Sequence, residues 1–257
     1  MLMQTVRTTP IADQKPGTSG LRKKTAVFRA SHFLENYVQS LFDGIDGVQG
    51  KTLGVGGDGR FFNDMAIQII LRMAAANGAA KGIVGQDGLL STPAAAHLIR
   101  LRQADGGGLI LSASHNPGGP DADFGLKYNV PNGGPAPEVV TNRIFERTKV
   151  IEHYKTIAAD DGVLATIGLQ TVGEMIVEIV DPVEDYAALM QKIVDFDMIR
   201  ALFARGFTMC FDAMHAVTGP YALAILEDML GAPKGTVING VPSPDFDKGH
   251  PDPNPTW

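Results

Sequence analysis

The sequence predicts an α/β protein with mixed, mostly parallel sheets and helices on both faces. Short apolar runs typical of strands alternate with segments of helical periodicity, which is the pattern of βαβ units. The same alternation starts again after residue 182, over too few residues for a complete α/β domain. We therefore expect a first domain over residues 1–182 and a truncated second domain over residues 183–257, ending inside something larger.

Composition narrows the function classes. The chain has 257 residues, a formal charge of −6 and a hydrophobic fraction of 44%, ordinary values for a globular protein. The acidic balance argues against general nucleic-acid binding, which needs a basic surface. The lone Cys210 favours a reducing compartment. Because no apolar run reaches the ~18 residues of a membrane span and the start lacks a secretory core, we expect a cytoplasmic protein without membrane partners.

The first domain is predicted to alternate strands and helices in order. Strands are expected at residues 52–55, 82–84 and 109–111, with a sheet edge or hairpin at 124–130 and a helix at 138–149. Residues 151–180 are ambiguous. The helix after the first strand places four side chains on one face: Ile67, Ile70, Leu71 and Ala74.

Capping residues set the expected helix boundaries. Asn63 or Asp64 is expected to cap the first of these helices, which Asn77-Gly78 should end. Ser91 or Thr92 should cap the next helix, with two side chains on its inner face, Leu98 and Leu101. In the second unit we expect helices at 183–194 and 198–204, a strand at 207–211, a helix capped by Thr218, a strand at 235–241 and a turn-rich ending.

Ser114 is the first candidate for chemistry. It follows a buried strand, so it should lie at the carboxyl edge of the sheet, where open α/β folds bind ligands. Its hydroxyl could attack an acyl group or carry a phosphoryl group. The G-x-S-x-G elbow of acyl nucleophiles is absent, and the adjacent His115 is poorly placed to activate it. A phosphoryl carrier and a loop that merely turns both stay open on spacing alone, with the turn slightly favoured.

Other segments carry weaker signals. Residues 54–59 match G-x-G-x-x-G by letter, but Asp58 would oppose a pyrophosphate, so a tight turn is favoured over dinucleotide binding and a dehydrogenase. The loop at 15–22 could bind phosphate or be a solvated arm. The six histidines lack zinc-ligand spacing, so His97 and His215 are expected to be packed or turn residues.

Taken together, the motifs resemble the α-D-phosphohexomutases, and within that family the amino-terminal half of the α-phosphoglucomutase branch. They occur in the family's order, at Gly17–Arg22, Ser112–Pro120, Asp123–Asn129, Asn132–Glu138 and Gly249–Asn254. The resemblance also covers residues 57–60 and 212–215. It implies phosphohexomutase-type α/β domains around a cleft, of which the second is incomplete here.

The resemblance also implies the chemistry. Ser114 would carry the phosphoryl group that interconverts glucose 1-phosphate and glucose 6-phosphate through glucose 1,6-bisphosphate. His115 and Lys127 would lie beside the transferred group. The substrate-binding residues would be Arg22, Thr18 and Ser19. Mg²⁺ would bind the phosphate on Ser114.

The chain departs from the family pattern because the D-x-D-x-D run of the family's magnesium loop does not occur in this sequence. Without that metal the charge that develops on the phosphoryl group lacks a main partner, so we expect this chain alone to be a poor mutase or inactive. An incomplete second domain should also expose apolar surface and favour aggregation or partner binding. The alternative function is a non-catalytic α/β module that binds a sugar phosphate or a nucleotide.

Overall fold

The computed structural model describes residues 3–17 and 19–254. Among them, strands and helices alternate along most of the chain. The strands are β1 (Met3–Arg7), β2 (Leu21–Lys24), β3 (Thr52–Gly57), β4 (Lys81–Leu89), β5 (Gly108–Leu111), β6 (Asp123–Asn129), β7 (His153–Ile157), β8 (Gly168–Val172), β9 (Met175–Val180), β10 (Phe211–Asp212) and β11 (Val237–Ile238). The helices are α1 (Thr25–Phe28), α2 (Phe33–Gly44), α3 (Asn63–Ala76), α4 (Thr92–Leu101), α5 (Glu138–Thr148), α6 (Glu184–Ile193), α7 (Phe196–Ala204) and α8 (Thr218–Ala222).

A mixed seven-stranded sheet in the order β2-β6-β5-β3-β4-β9-β8 forms the centre of the structure. The four strands β5, β3, β4 and β9 are parallel, while β6 and β8 run antiparallel to their neighbours. The α/β fold class with a mixed sheet is therefore confirmed. Residues 151–180, which the sequence left open, supply β9 to this sheet and β7 to an antiparallel pair with β1.

Helices cover both faces of this sheet. The alternation of side chains along a strand sends neighbouring residues to opposite faces. Val84 and Leu109 accordingly pack in a large core with α2 and α3. Ile83 and Ile110 pack on the other face, against α4 and Tyr221.

Helix capping agrees with the sequence in one place and departs from it in another. The Ser91 side chain accepts a hydrogen bond from the Ala94 amide and caps α4, as predicted. The predicted cap at Asn63 or Asp64 is wrong. The helix α3 begins at Asn63 itself, after a left-handed Phe62. The side-chain amide of Asn63 does not cap the helix; it donates to the Gly88 carbonyl at 3.2 Å.

Leu101 was expected on the inner face of α4, but it is exposed. It is the last residue of that helix. Leu98, three residues earlier, is buried as predicted.

The second unit contains less strand than the sequence indicated. The strand β10 overlaps the predicted run 207–211 only at Phe211, and β11 covers two residues of the predicted run 235–241. The two strands pair with each other in parallel over two residues. Asn239 has a positive φ of 51°, which ends β11 early. Thr218 begins α8 rather than capping it, and a π-helix, Leu223–Met229, continues that helix.

Residues 242–249, here called the strap, contact the residues that follow β3. The Phe61 amide donates to the Pro244 carbonyl at 2.7 Å, and Phe246 is almost fully buried. Phe246, Asp247 and Lys248 all have positive φ, so the strap makes a tight left-handed turn. No helix in the described part of the chain is both long and apolar enough to cross a membrane.

We predict that Ser91→Ala lowers the free energy of unfolding by about 1 kcal/mol, because the first turn of α4 loses its side-chain acceptor. Urea unfolding followed by circular dichroism measures this. Ser91→Thr is the matched control, since it keeps the hydroxyl and should retain most of the stability. Equal stability of the alanine and threonine variants would contradict the assigned cap.

Candidate active site

Ser114 lies in the loop that follows β5, at the carboxyl edge of the parallel strands. The loop is hydrogen-bonded on both sides: the Ser112 amide donates to the Gly125 carbonyl of β6, and the Ser114 amide donates to Ser112 Oγ at 2.9 Å. Ser114 has a φ of 58°, a left-handed conformation that is rare for a non-glycine residue. Its side chain is exposed. The loop thus presents a hydroxyl on a fixed backbone.

A buried ion pair lies directly below this loop. Arg60 Nε donates to both carboxylate oxygens of Asp58, at 2.9 and 3.1 Å. The Arg60 side chain is 0% exposed, and its remaining N–H groups reach backbone carbonyls of the loop, including that of Ser114 at 2.9 Å. Sequence reasoning did not assign a role to either residue. Opposite charges two residues apart, directly after a buried strand, are the signal that could have indicated one.

Ser114 borders a cavity of about 430 Å³, here called the Ser114 cavity. Four residues predicted from the sequence line it: Ser19, Arg22, Ser114 and Lys127. The register explains why Arg22 and Lys127 share a wall. Arg22 is opposite Gly125 in the β2–β6 pair, and Lys127 is two residues further along β6, so both side chains leave the same face. Gly125 allows close packing here, because a Cβ on it would lie 2.3 Å from the Ser112 carbonyl oxygen.

The two cations of the cavity are only partly satisfied. Lys127 Nζ donates to Thr92 Oγ1 at 2.8 Å, whereas the buried Arg22 Nε has no hydrogen-bond partner. Burial lowers the pKa of Lys127, and the positive charge of Arg22 lowers it further, against an opposing effect of Asp58. An anion in the cavity would satisfy Arg22 and favour the charged form of Lys127. The geometry therefore suits an anionic ligand.

Two tyrosines form part of the cavity lining and are neutral at physiological pH. Burial raises the pKa of Tyr128 to about 12, and it raises the pKa of Tyr37 as well. The Tyr128 hydroxyl donates to the Gly106 carbonyl at 3.0 Å. These groups are structural, and Lys127 is the titratable side chain of this lining with a lowered pKa.

The other predicted residues lie as follows. His115 is exposed and does not line the cavity, but its Nδ1 is 3.4 Å from Ser114 Oγ, closer than their adjacency in sequence suggested. Thr18 lies outside the described residues. His215 Nδ1 is 3.1 Å from the Val241 carbonyl oxygen, in a turn. His97 lies half-buried on α4.

The glycines of residues 54–59 are packed against protein. A Cβ on Gly57 would lie 2.2 Å from the Leu111 carbonyl oxygen, and one on Gly56 would lie 2.6 Å from the Leu90 Cβ. Their small size allows strands and loops to approach one another. This agrees with the tight turn favoured over a dinucleotide site.

Within residues 3–17 and 19–254, no three His, Cys, Asp or Glu side chains are grouped so that they could hold a metal ion. The Asp58 carboxylate is already committed to Arg60.

Comparisons with known proteins agree with this architecture. Residues 13–155 match the family described as phosphoglucomutase/phosphomannomutase, alpha/beta/alpha domain I. Two similar relatives are named phosphoglucomutase. The protein from Rhizobium radiobacter is 56% identical over 98% of this chain and 46% of its own length, and the one from Aspergillus fumigatus is 51% identical over 99% and 46%. The chain belongs to the phosphoglucomutase/phosphomannomutase family, and the resemblance seen in the sequence is confirmed.

A solved structure extends the comparison. The open form of pp63/parafusin from Paramecium, described as a phosphoglucomutase, superposes with a TM-score of 0.94 at 45% identity, over 99% of this chain and 48% of that one. A Thermus thermophilus structure with a TM-score of 0.70 and 24% identity shares the fold. The chain spans about half the length of the relatives that it matches.

The cavity's electrostatics predict a coupling between its two cations. Arg22→Met should raise the pKa of Lys127, because it removes the neighbouring positive charge. The measurement is a pH titration of ¹³C-dimethylated lysines by NMR, with the Lys127 signal assigned by Lys127→Arg. Arg200→Met, on α7, is the matched control and should leave the midpoint unchanged. A midpoint that does not rise in Arg22→Met would show that burial alone determines the lowered pKa.

Proposed function

We propose that this chain forms the phosphoryl-carrying part of a phosphoglucomutase. The observation that carries the proposal is the meeting of the exposed Ser114 hydroxyl with Arg22 and Lys127 around one cavity. Phosphoryl transfer depends mainly on positioning and on cations that stabilise charge, and this cavity offers both. The named relatives support the same activity.

In the proposed reaction, phosphorylated Ser114 transfers its phosphoryl group to the 6-hydroxyl of glucose 1-phosphate. The bond from phosphorus to Ser114 Oγ breaks, a bond from phosphorus to the sugar O6 forms, and the proton of the 6-hydroxyl passes to Ser114 Oγ. The resulting glucose 1,6-bisphosphate reorients. Its 1-phosphoryl group then returns to Ser114 Oγ, the Ser114 hydroxyl proton passes to the sugar O1, and glucose 6-phosphate leaves.

The side chains of the cavity have distinct proposed roles. Arg22, with a buried Nε that lacks a partner, and Ser19, and by resemblance Thr18, would hold a phosphate group. Lys127 would balance the charge on the transferred group or exchange the hydroxyl proton, since its lowered pKa brings its neutral form closer to physiological pH. His115 Nδ1, 3.4 Å from Ser114 Oγ, would act beside the leaving oxygen.

Mg²⁺ is proposed from the resemblance alone, with the phosphate on Ser114 as this chain's contribution to its binding. Bound there, the ion would neutralise charge on the phosphoryl group. We also propose domains over residues 1–182 and 183–257, supported by the end of the main sheet at Val180 and the start of α6 at Glu184. A cytoplasmic location stays a prediction.

The decisive test uses the full natural polypeptide that carries this sequence, with Mg²⁺ and glucose 1,6-bisphosphate present. We expect Ser114→Ala to lower kcat at least ~10³-fold, the scale on which loss of a covalent nucleophile acts in other enzymes. Mass spectrometry should find a phosphoryl group on Ser114 of the parent protein, and calorimetry should show that the variant still binds glucose 1-phosphate.

Ser31→Ala, a change at an exposed serine, is the matched control and should keep full turnover. Binding of glucose 1-phosphate without turnover by the parent protein would instead favour the non-catalytic binding module. Normal turnover by Ser114→Ala would refute the assigned nucleophile.

A further inference from the structure

Arg60 is a fully buried arginine in the described structure, and its contacts converge on the Ser114 loop. Besides Asp58, its guanidinium donates to three backbone carbonyls: Ser114 at 2.9 Å, Asn116 at 3.3 Å and Asp123 at 2.8 Å. Its other face lies over the ring of Phe246 in the strap, 5.3 Å from the centroid. Every N–H of the guanidinium is used.

The three carbonyls belong to the two segments that have to meet for the proposed chemistry. Ser114 and Asn116 are in the loop after β5, whereas Asp123 is the first residue of β6, the strand that carries Lys127. One rigid, planar group therefore connects the backbone of the nucleophile to the strand of the cation. A lysine in this place would supply a point charge but could not reach three carbonyls and a carboxylate at once.

The left-handed backbone of Ser114 has to be held in place by contacts of this kind. Non-glycine residues rarely adopt that region because it is strained, so surrounding contacts must hold Ser114 there. Ser112 Oγ accepts from the Ser114 amide, and Arg60 donates to the Ser114 carbonyl. Both peptide groups that flank the Ser114 side chain are thus fixed, and with them the direction of its hydroxyl.

We propose that Arg60 is a positioning residue, which holds Ser114 Oγ at a set distance from Arg22 and Lys127 without touching the substrate. Asp58 fixes the guanidinium, and Phe246 covers one face of it. The inference rests on the proposed function, since it assigns Arg60 a role in phosphoryl transfer from Ser114. It adds a residue and a strap contact on which the geometry of the nucleophile depends.

The test is Arg60→Lys in the full natural polypeptide. We expect kcat to fall ~10²-fold, the loss that a displacement of about 1 Å produces in other enzymes, while KM for glucose 1-phosphate changes little. If Arg60 only stabilised the fold, the substitution would reduce the fraction of folded protein without changing the kcat of the molecules that fold. The kcat is therefore referred to the amount of folded protein that can be phosphorylated on Ser114. Arg29→Lys, whose guanidinium lies over Phe61 at the surface, is the matched control and should retain the parent kcat.

Amide hydrogen exchange at Ser114 provides a readout independent of activity. Arg60→Lys should speed exchange there, because the loop loses its carbonyl contacts, while exchange in α3 stays slow. If the parent protein has no turnover but exchange at Ser114 rises in the variant, the proposed function fails and the positioning role stands. If the parent turns over and folded Arg60→Lys matches it in kcat and exchange, the positioning role is overturned.

Asp58→Asn is the second variant, for use if Arg60→Lys does not fold. It keeps the size of the side chain that holds the guanidinium but weakens the bond by removing the charge. We expect the same pattern with a smaller loss of kcat. An unchanged kcat together with unchanged exchange at Ser114 would overturn the proposal.

Discussion

The buried pair of Asp58 and Arg60 is the interaction on which the rest of the site depends. Burying a guanidinium and a carboxylate is costly unless each finds a complete set of partners. Here the Asp58 carboxylate accepts from two N–H groups of Arg60, and three backbone carbonyls accept from the other N–H groups of the guanidinium. The same contacts that make burial tolerable join the ends of β3 and β5 to the start of β6. The contacts that stabilise the buried ion pair therefore also determine the geometry of the Ser114 loop.

The second arginine near the loop shows the opposite arrangement. Arg60 has all its N–H groups satisfied by the protein, whereas the buried Nε of Arg22 has no partner, and Lys127 Nζ donates to Thr92 Oγ1. A polar group left without a partner lowers stability, and a ligand anion that supplies the partner gains the difference as binding energy. The fold thus separates structural from functional cations within one sheet edge. This separation supports phosphate binding at the Ser114 cavity.

Local sequence rules predicted the parts of the fold that depend on neighbouring residues. The Ser91 cap, the end of α3 at Asn77-Gly78 and the buried strand before Ser114 follow from such rules. The cap at Asn63 failed because its amide reaches Gly88, a contact made only after folding, and the strand at 235–241 failed because pairing partners and the φ of Asn239 limit it. Arg22 and Lys127 were proposed through family motifs, whereas the contacts of Arg60 could not be predicted, because its acceptors come together only in three dimensions.

The strap connects the second unit to the buried Asp58–Arg60 pair. Phe246, Asp247 and Lys248 adopt left-handed backbone, each at a cost on the order of 1–2 kcal/mol. Burial of the Phe246 ring, worth about 1.5–3 kcal/mol, offsets part of that cost, and its contact with Arg60 adds to it. Gly118 leaves the space that the ring needs, because a Cβ there would lie 2.9 Å from it. The strained turn is thus held by what it covers, and the loop that carries Ser114 is supported from below by residues more than a hundred positions later in the chain.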